Sequence, residues 1–123
     1  SCGRASEDVR RTLKNIGIAS DVIRKVSIAM YEGEINMVIH ADGGVADVGI
    51  YEDRIVVTLS DTGKGIADIE QAMQEGFSTA TDEIRELGFG AGMGLPNMKK
   101  NADTLEIDTV VGVGTTVTAV VRL

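Results

Sequence analysis

Between Gly88 and Gly94 the chain reads Gly-Phe-Gly-Ala-Gly-Met-Gly, four glycines in seven residues. Glycine loses more backbone freedom on ordering than any other residue, so this run suits neither a helix nor a strand. It suits a backbone that approaches a ligand closely and adopts left-handed conformations at several positions. The residues that follow, Leu95-Pro96-Asn97-Met98-Lys99-Lys100, read as a helix start, with Pro96 tolerated in the first turn. A glycine loop that opens a helix presents unpaired N–H groups and the positive end of the helix dipole, which is an anion or phosphate site. On these residues alone, a plain surface loop accounts for the run equally well.

The bulk composition narrows the class. With 123 residues, 43% of them apolar, the chain is expected to form one domain, residues 1–123, with a real core. No stretch approaches the ~18 apolar residues of a membrane span, and no apolar signal core opens the sequence. The single cysteine, Cys2, has no partner within the chain and suits a reducing compartment, so a cytoplasmic protein with no membrane partner is expected. A net charge of −7 and 3% aromatics weigh against nucleic-acid binding, which needs basic clusters and stacking platforms. Small anionic ligands stay open, because backbone amides and a metal ion can neutralise phosphate charge.

Periodicity orders the elements. Ser6 reads as an N-cap, with Val9, Leu13 and Ile16 at helical spacing and Gly17 as the stop. A second helix starts at Ser20-Asp21, carries Ile23, Val26, Met30 and Met37 or Val38 on its apolar face, and ends near Ala41-Asp42-Gly43-Gly44. Strands follow at Val45–Tyr51 and Ile55–Leu59, joined by a turn at Glu52-Asp53-Arg54. A short amphipathic helix is expected over 67–75. The polar, glycine-rich stretch from Gly76 to Gly94 exceeds about 12–15 residues and is expected to be a lid, disordered without its ligand. A helix over Leu95–Ala102, a strand at Thr104–Val110, a turn at Gly112-Val113-Gly114 and a strand at Thr115–Leu123 complete the chain. The fold expected is α+β, a two-layer sandwich with helices on one face of a mostly antiparallel sheet and a mobile lid.

Three further stretches carry candidate chemistry. Glu32 and Asn36 are four apart on the second helix and share a face, among the apolar or small Met30, Gly33 and Met37. A carboxylate and a carboxamide there are costly unless they meet a metal or a reacting group; two solvent-facing residues are the plainer alternative. Glu34 is expected to point elsewhere and be solvated. Asp61-Thr62-Gly63-Lys64-Gly65 follows an apolar strand, so its carboxylate can accept from an exocyclic amine such as adenine's, or simply end the strand in a turn. Gly112-Val113-Gly114-Thr115 reads as a hairpin turn. The sequence lacks a P-loop, a His-Arg-Asp loop and zinc-ligand spacing, and Met93 stands where a dinucleotide fingerprint needs its last glycine. His40, the only histidine, falls at a helix end and reads as a capping or surface residue.

In this order the stretches resemble the GHKL (Bergerat-fold) ATPases, a family that includes gyrase B, Hsp90, histidine kinases, MutL and the anti-sigma-factor serine kinases. Glu32-Gly-Glu-Ile-Asn36 matches the N box, Asp61-Thr-Gly-Lys-Gly65 the first glycine box, Gly88–Gly94 the second and Gly112-Val-Gly-Thr115 the third. Together they cover nearly the whole chain. Its compact size and Glu-Gly-Phe-Ser-Thr-Ala (75–80) look like the small switch serine/threonine kinases of that family. The resemblance implies ATP and Mg²⁺ as cofactors. It assigns Asn36 to the metal and Glu32 to the role of general base for an attacking serine or threonine hydroxyl. It assigns Asp61 to the adenine amino group, with Gly63 and Gly65 making room and Thr115 supporting the base pocket. Nucleotide contacts fall to Gly88, Gly90, Gly92, Met93, Gly94 and Leu95, while Arg85 and Lys64 are candidates for γ-phosphate charge.

The partner so implied is a STAS-domain anti-anti-sigma protein, with a sigma factor or a phosphatase as further partners and a homodimer among the assemblies allowed. The sequence shows no dimerisation helices, phosphoacceptor-histidine segment or transducer domain, so a switch kinase is expected rather than a sensor kinase, topoisomerase or chaperone. Two alternatives are an ATP-gated binding module without kinase activity and a stand-alone histidine-kinase-like catalytic domain. Gly33 and Glu34 are local oddities within the N box.

Overall fold

A computed structural model describes residues 4–40, 44–63 and 94–123. The helix expected over 67–75 and the lid as far as residue 93 lie outside the described residues. Helix α1 covers Arg4–Asn15 and α2 covers Ser20–His40. Strands β1 (Gly44–Ile50) and β2 (Arg54–Asp61) follow, then helix α3 (Gly94–Lys100) and strands β3 (Thr104–Val110) and β4 (Gly114–Arg122). The sheet order is β1-β2-β4-β3 with every pairing antiparallel.

The helices cover one face of this sheet, as the alternation of its strands requires. Ile55, Val57 and Leu59 of β2 and Val117, Ala119 and Val121 of β4 are buried, while the residues between them are only half-buried. Onto these rows α2 lays Val22, Val26, Ala29, Met30 and Met37, spaced for one helical face, so the apolar face expected from Ile23, Val26, Met30 and Met37 is the face that is buried. Gly33 belongs to the same face. A Cβ there would stand 2.6 and 2.7 Å from the two Leu59 methyls, so the missing side chain lets the helix backbone settle onto β2. That contact explains one oddity of the N box.

Several boundaries differ from expectation. Ser6 is not the N-cap of α1 but lies inside its first turn, buried, with its hydroxyl donating to the Ser27 carbonyl of α2 at 3.0 Å. Ile16 is 56% exposed rather than a core residue, because α1 has ended before it. Gly17, at φ +84, donates to the Lys14 carbonyl at 3.1 Å, and Ile18 donates to the Leu13 carbonyl at 3.1 Å. This is a Schellman cap, and it turns the chain toward α2. Strand β1 starts at Gly44 and stops at Ile50; the Tyr51 N–H instead closes the hairpin onto the Arg54 carbonyl at 2.8 Å. Strand β2 runs two residues beyond Leu59, because Ser60 and Asp61 are paired on both sides, with Val45 and Gly44 of β1 and with Thr116 and Thr115 of β4. Helix α3 ends at Lys100, two residues early, where the Asn101 side chain takes up the Asn97 carbonyl at 2.8 Å.

Candidate functional site

Helix α2 is flanked by α1 on one side and α3 on the other. Successive helical positions are 100° apart, so Glu32 and Asn36 share the α3 side while Glu34 points to the α1 side. Glu34 accordingly corrects the sequence expectation: its Oε1 accepts the Ser6 N–H at 3.2 Å, a donor of the first turn of α1 that has no intrahelical acceptor. It fastens two helices.

On the opposite side, α3 begins hard against α2. A Cβ on Gly94 would stand 3.7 Å from the Glu32 backbone carbonyl and 3.9 Å from both Cβ and Oδ1 of Asn36. These are ordinary contact distances, so the start of α3 lies against the Glu32–Asn36 side of α2. Asn97, three residues on, lies on the same side of α3. Oε2 of Glu32 is buried and has no hydrogen-bond partner among the described residues. Burial pushes the Glu32 carboxyl up from its ordinary value, and the Asn97 side chain offsets part of that rise. A buried, unpartnered carboxylate oxygen is a costly feature in a fold and a useful one in a proton acceptor.

The second cluster lies at one end of the sheet. Strand register aligns Gly44 with Asp61, Asp61 with Thr115 and Thr115 with Thr109, all on the helix-facing side. The rows behind this one are apolar on that side, so a polar row closes an otherwise hydrophobic layer. Asp61 Oδ1 accepts the Gly63 N–H at 2.8 Å. Thr115 is 5% exposed, and its hydroxyl pairs with that of Thr109 at 2.8 Å; Thr109 also lies 3.3 Å from the Gly114 carbonyl. Gly114, at φ +153, is packed so that a Cβ would run into the Asp61 carbonyl oxygen, so glycine alone permits this pairing of β4 with the end of β2.

The two clusters meet at the same end of the layer. Met37, next to Asn36, lies over Gly44 of the polar row: a Cβ on Gly44 would come within 2.7 Å of its sulfur. Of the residues singled out from sequence, the structure thus brings together Glu32, Asn36 and Gly94, and separately Asp61, Gly63 and Thr115. Leu95 is buried in the core, so only its backbone is left to face a ligand. Gly65, Gly88, Gly90, Gly92 and Met93, with Lys64 and Arg85, lie outside the described residues. Asn97 and Thr109 were missed. The three-residue spacing from Gly94 was the signal for Asn97; nothing local to Thr109 marked it. Among the described residues no three His, Cys, Asp or Glu gather to hold a metal by themselves, and no helix is long and apolar enough to cross a membrane.

Comparison with known proteins places this geometry. Residues 8–123 match the family described as histidine kinase-, DNA gyrase B-, and HSP90-like ATPase. An anti-sigma F factor of Caldanaerobacter subterraneus subsp. tengcongensis is 36% identical over 100 residues, covering 77% of this chain and 66% of that protein. The serine/threonine-protein kinase RsbT of Bacillus subtilis is 29% identical over 115 residues, covering 90% of this chain and 80% of RsbT. The chain therefore spans about two thirds of the length of that anti-sigma F factor. A mycobacterial sensor histidine kinase, MprB, has the same fold, with a TM-score of 0.62 at 17% identity over 96% of this chain and 93% of the other.

Proposed function

The chain belongs to the histidine kinase-, DNA gyrase B- and HSP90-like ATPase family, and from that premise we propose that it is an ATP-dependent protein serine/threonine kinase of an anti-sigma partner-switching module. The observation that carries the proposal is Oε2 of Glu32, buried and without a hydrogen-bond partner among the described residues, one helical turn from Asn36 on the side of α2 that the start of α3 meets. ATP binding is a property of the family. The residues present fit the nucleotide and its metal. Asn36 supplies one oxygen ligand, which suffices for magnesium, an ion that takes most of its octahedral shell from phosphate and water. Bound there, the ion neutralises charge on the phosphates.

The chain's own residues do the rest. Asp61 accepts from the amino group of the base, and Thr115 lines the same pocket. The backbone at Gly94, with the glycines before it, holds the phosphates. Glu32 accepts the proton of the acceptor hydroxyl as that oxygen bonds the γ-phosphorus and ADP leaves. Phosphoryl transfer is mostly positioning and charge stabilisation, so a base, a metal ligand and a phosphate cradle form a sufficient set. A STAS-domain anti-anti-sigma protein is the acceptor that the family resemblance implies, and similarity to a protein named anti-sigma F factor supports a sigma factor as a further partner.

Mass spectrometry of candidate STAS-domain proteins, incubated with this chain and Mg–ATP, tests the proposal. A phosphoserine or phosphothreonine that forms with wild type and not with Glu32→Gln supports it. ATP-dependent co-elution with no phosphate indicates a nucleotide-gated binding module instead, and an acid-labile label on the acceptor indicates a histidine kinase.

A further inference from the structure

We infer that Thr109 is a positioning residue that sets base specificity: it takes up the Thr115 hydroxyl proton, so the polar row at the end of the sheet offers acceptors alone and selects a purine with an amino group over one with a keto oxygen. The inference rests on the reading of Asp61 and Thr115 as the base pocket. A hydroxyl has one proton and two lone pairs, whereas a carbonyl only accepts. Thr109 Oγ1 lies 3.3 Å from the Gly114 carbonyl oxygen and donates to it. Its proton is thereby committed, so Thr115 is the donor in the 2.8 Å contact between the two threonines. Thr115 keeps only lone pairs for the pocket. Asp61 Oδ1 holds the Gly63 N–H at 2.8 Å, which leaves Oδ2 as the second acceptor of the row.

The far end of this chain of contacts is backbone. Gly114, at φ +153, lies so close to the Asp61 carbonyl that a Cβ would strike it, so the end of β2 holds the residue whose oxygen Thr109 meets. Register sets Thr109 opposite Thr115 and Thr115 opposite Asp61. Thr115 is 5% exposed, which keeps its hydroxyl from turning to bulk water instead. The Ser60–Thr116 pair, one residue along and so on the other face of the sheet, is a useful contrast. Its hydroxyls lie 3.2 Å apart and either can donate, because no carbonyl among the described residues commits one of the protons. An exocyclic amino group carries two N–H donors and matches a row of two acceptors; a keto oxygen there meets only lone pairs. Valine at position 109 keeps the β-branched shape but frees the Thr115 proton to turn to the pocket, where it can donate to a keto oxygen.

The test titrates the whole chain, with Mg²⁺ present, with ADP and with inosine diphosphate by calorimetry. The inosine probe carries a keto oxygen where adenine carries its amino group. Wild type is expected to bind ADP more tightly by roughly tenfold or more, as a site built for one hydrogen-bonding pattern rejects the other. In Thr109→Val that preference is expected to shrink by roughly fivefold, the worth of about one hydrogen bond, through tighter binding of inosine diphosphate. Thr109→Ser keeps the hydroxyl and is expected to keep the preference. Thr109→Ala reads the same proton if valine disturbs the fold. Equal wild-type affinities for the two nucleotides overturn the inference without any variant. So does an unchanged preference in both Thr109→Val and Thr109→Ala, a loss of affinity equal for both nucleotides, or a preference lost in Thr109→Ser as well. Asp61→Ala separates the two levels. If it binds ADP like wild type, the row does not read the base at all; if it weakens ADP while Thr109→Val leaves the preference intact, only the role of Thr109 falls.

Discussion

Glu32 and Glu34 stand two residues apart on one helix, with the same side chain and opposite situations. Glu34 faces α1 and accepts a backbone N–H that would otherwise lack a partner. Glu32 faces α3, is desolvated, and keeps one oxygen with no partner among the described residues. The first arrangement stabilises the fold; the second opposes it. A carboxylate held against its own solvation survives where something other than stability selects it. The difference between them is one of neighbours and not of sequence type, and Gly33, between the two, fixes the helix on which both depend.

The largest effect expected on breaking this contrast is at Glu32. Removing a general base lowers transfer by about 10²–10⁴-fold, so Glu32→Gln should lose that much rate while ADP affinity, measured by calorimetry, changes little. Its effect on stability should run the other way. Burial raises the Glu32 carboxyl, so the folded chain binds this proton more tightly than the unfolded chain does. Stability therefore falls as pH rises from the ordinary glutamate range through the raised folded value. Glu32→Gln should abolish that slope and melt above wild type at neutral pH. Thermal scans of both chains across pH check it; parallel curves for the two chains would mean that the buried oxygen imposes no penalty on the fold.

How much of this contrast was legible in the sequence follows from where each partner lies. The pairing of Glu32 with Asn36 is local, set by helical spacing, and could be read directly. So could the glycine boxes, the two long helices and the alternating strands. Glu34 could not, because its partner, Ser6, is 28 residues away on another helix. Gly33 read as an oddity for the same reason: the Leu59 methyls that forbid a side chain there belong to the sheet. Asp61 and Thr115 were recognisable as a strand end and a box residue, but only the register puts them side by side and adds Thr109 to their row. Strand β2 reached further than Ser60 and Asp61 favour by propensity, since pairing on both edges overrides it.

Gly33→Ala is the intermediate case, acting on both sides of α2 at once. Alanine improves helix propensity over glycine by about 1 kcal/mol. The new methyl, however, enters space held by Leu59, itself buried in the core, and overpacking of this kind costs about 1–3 kcal/mol. A net loss of about 1 kcal/mol is expected, seen as a lower urea midpoint, together with slower ATP hydrolysis because Glu32 and Asn36 move with the helix. A variant more stable than wild type with unchanged hydrolysis would show that Leu59 repacks freely and that the close approach of α2 to β2 sets nothing at the site.

The smallest effect expected is at Glu34, where the contrast predicts the mirror image of Glu32. Glu34→Ala removes the acceptor for the Ser6 N–H at the start of α1, a bond worth about 1 kcal/mol, together with favourable charge near the positive end of that helix. The Ser6 hydroxyl keeps its bond to the Ser27 carbonyl, so α1 stays attached and the loss is partial. The melting temperature should fall by a few degrees, in line with the shift that about 1 kcal/mol produces in a domain of this size, and hydrolysis of Mg–ATP should stay at the wild-type rate. Because Glu34 points away from α3, a loss of hydrolysis without a loss of stability would break the division between the two sides of α2. It would mean that the carboxylate acts on the site and that its contact with α1 is incidental.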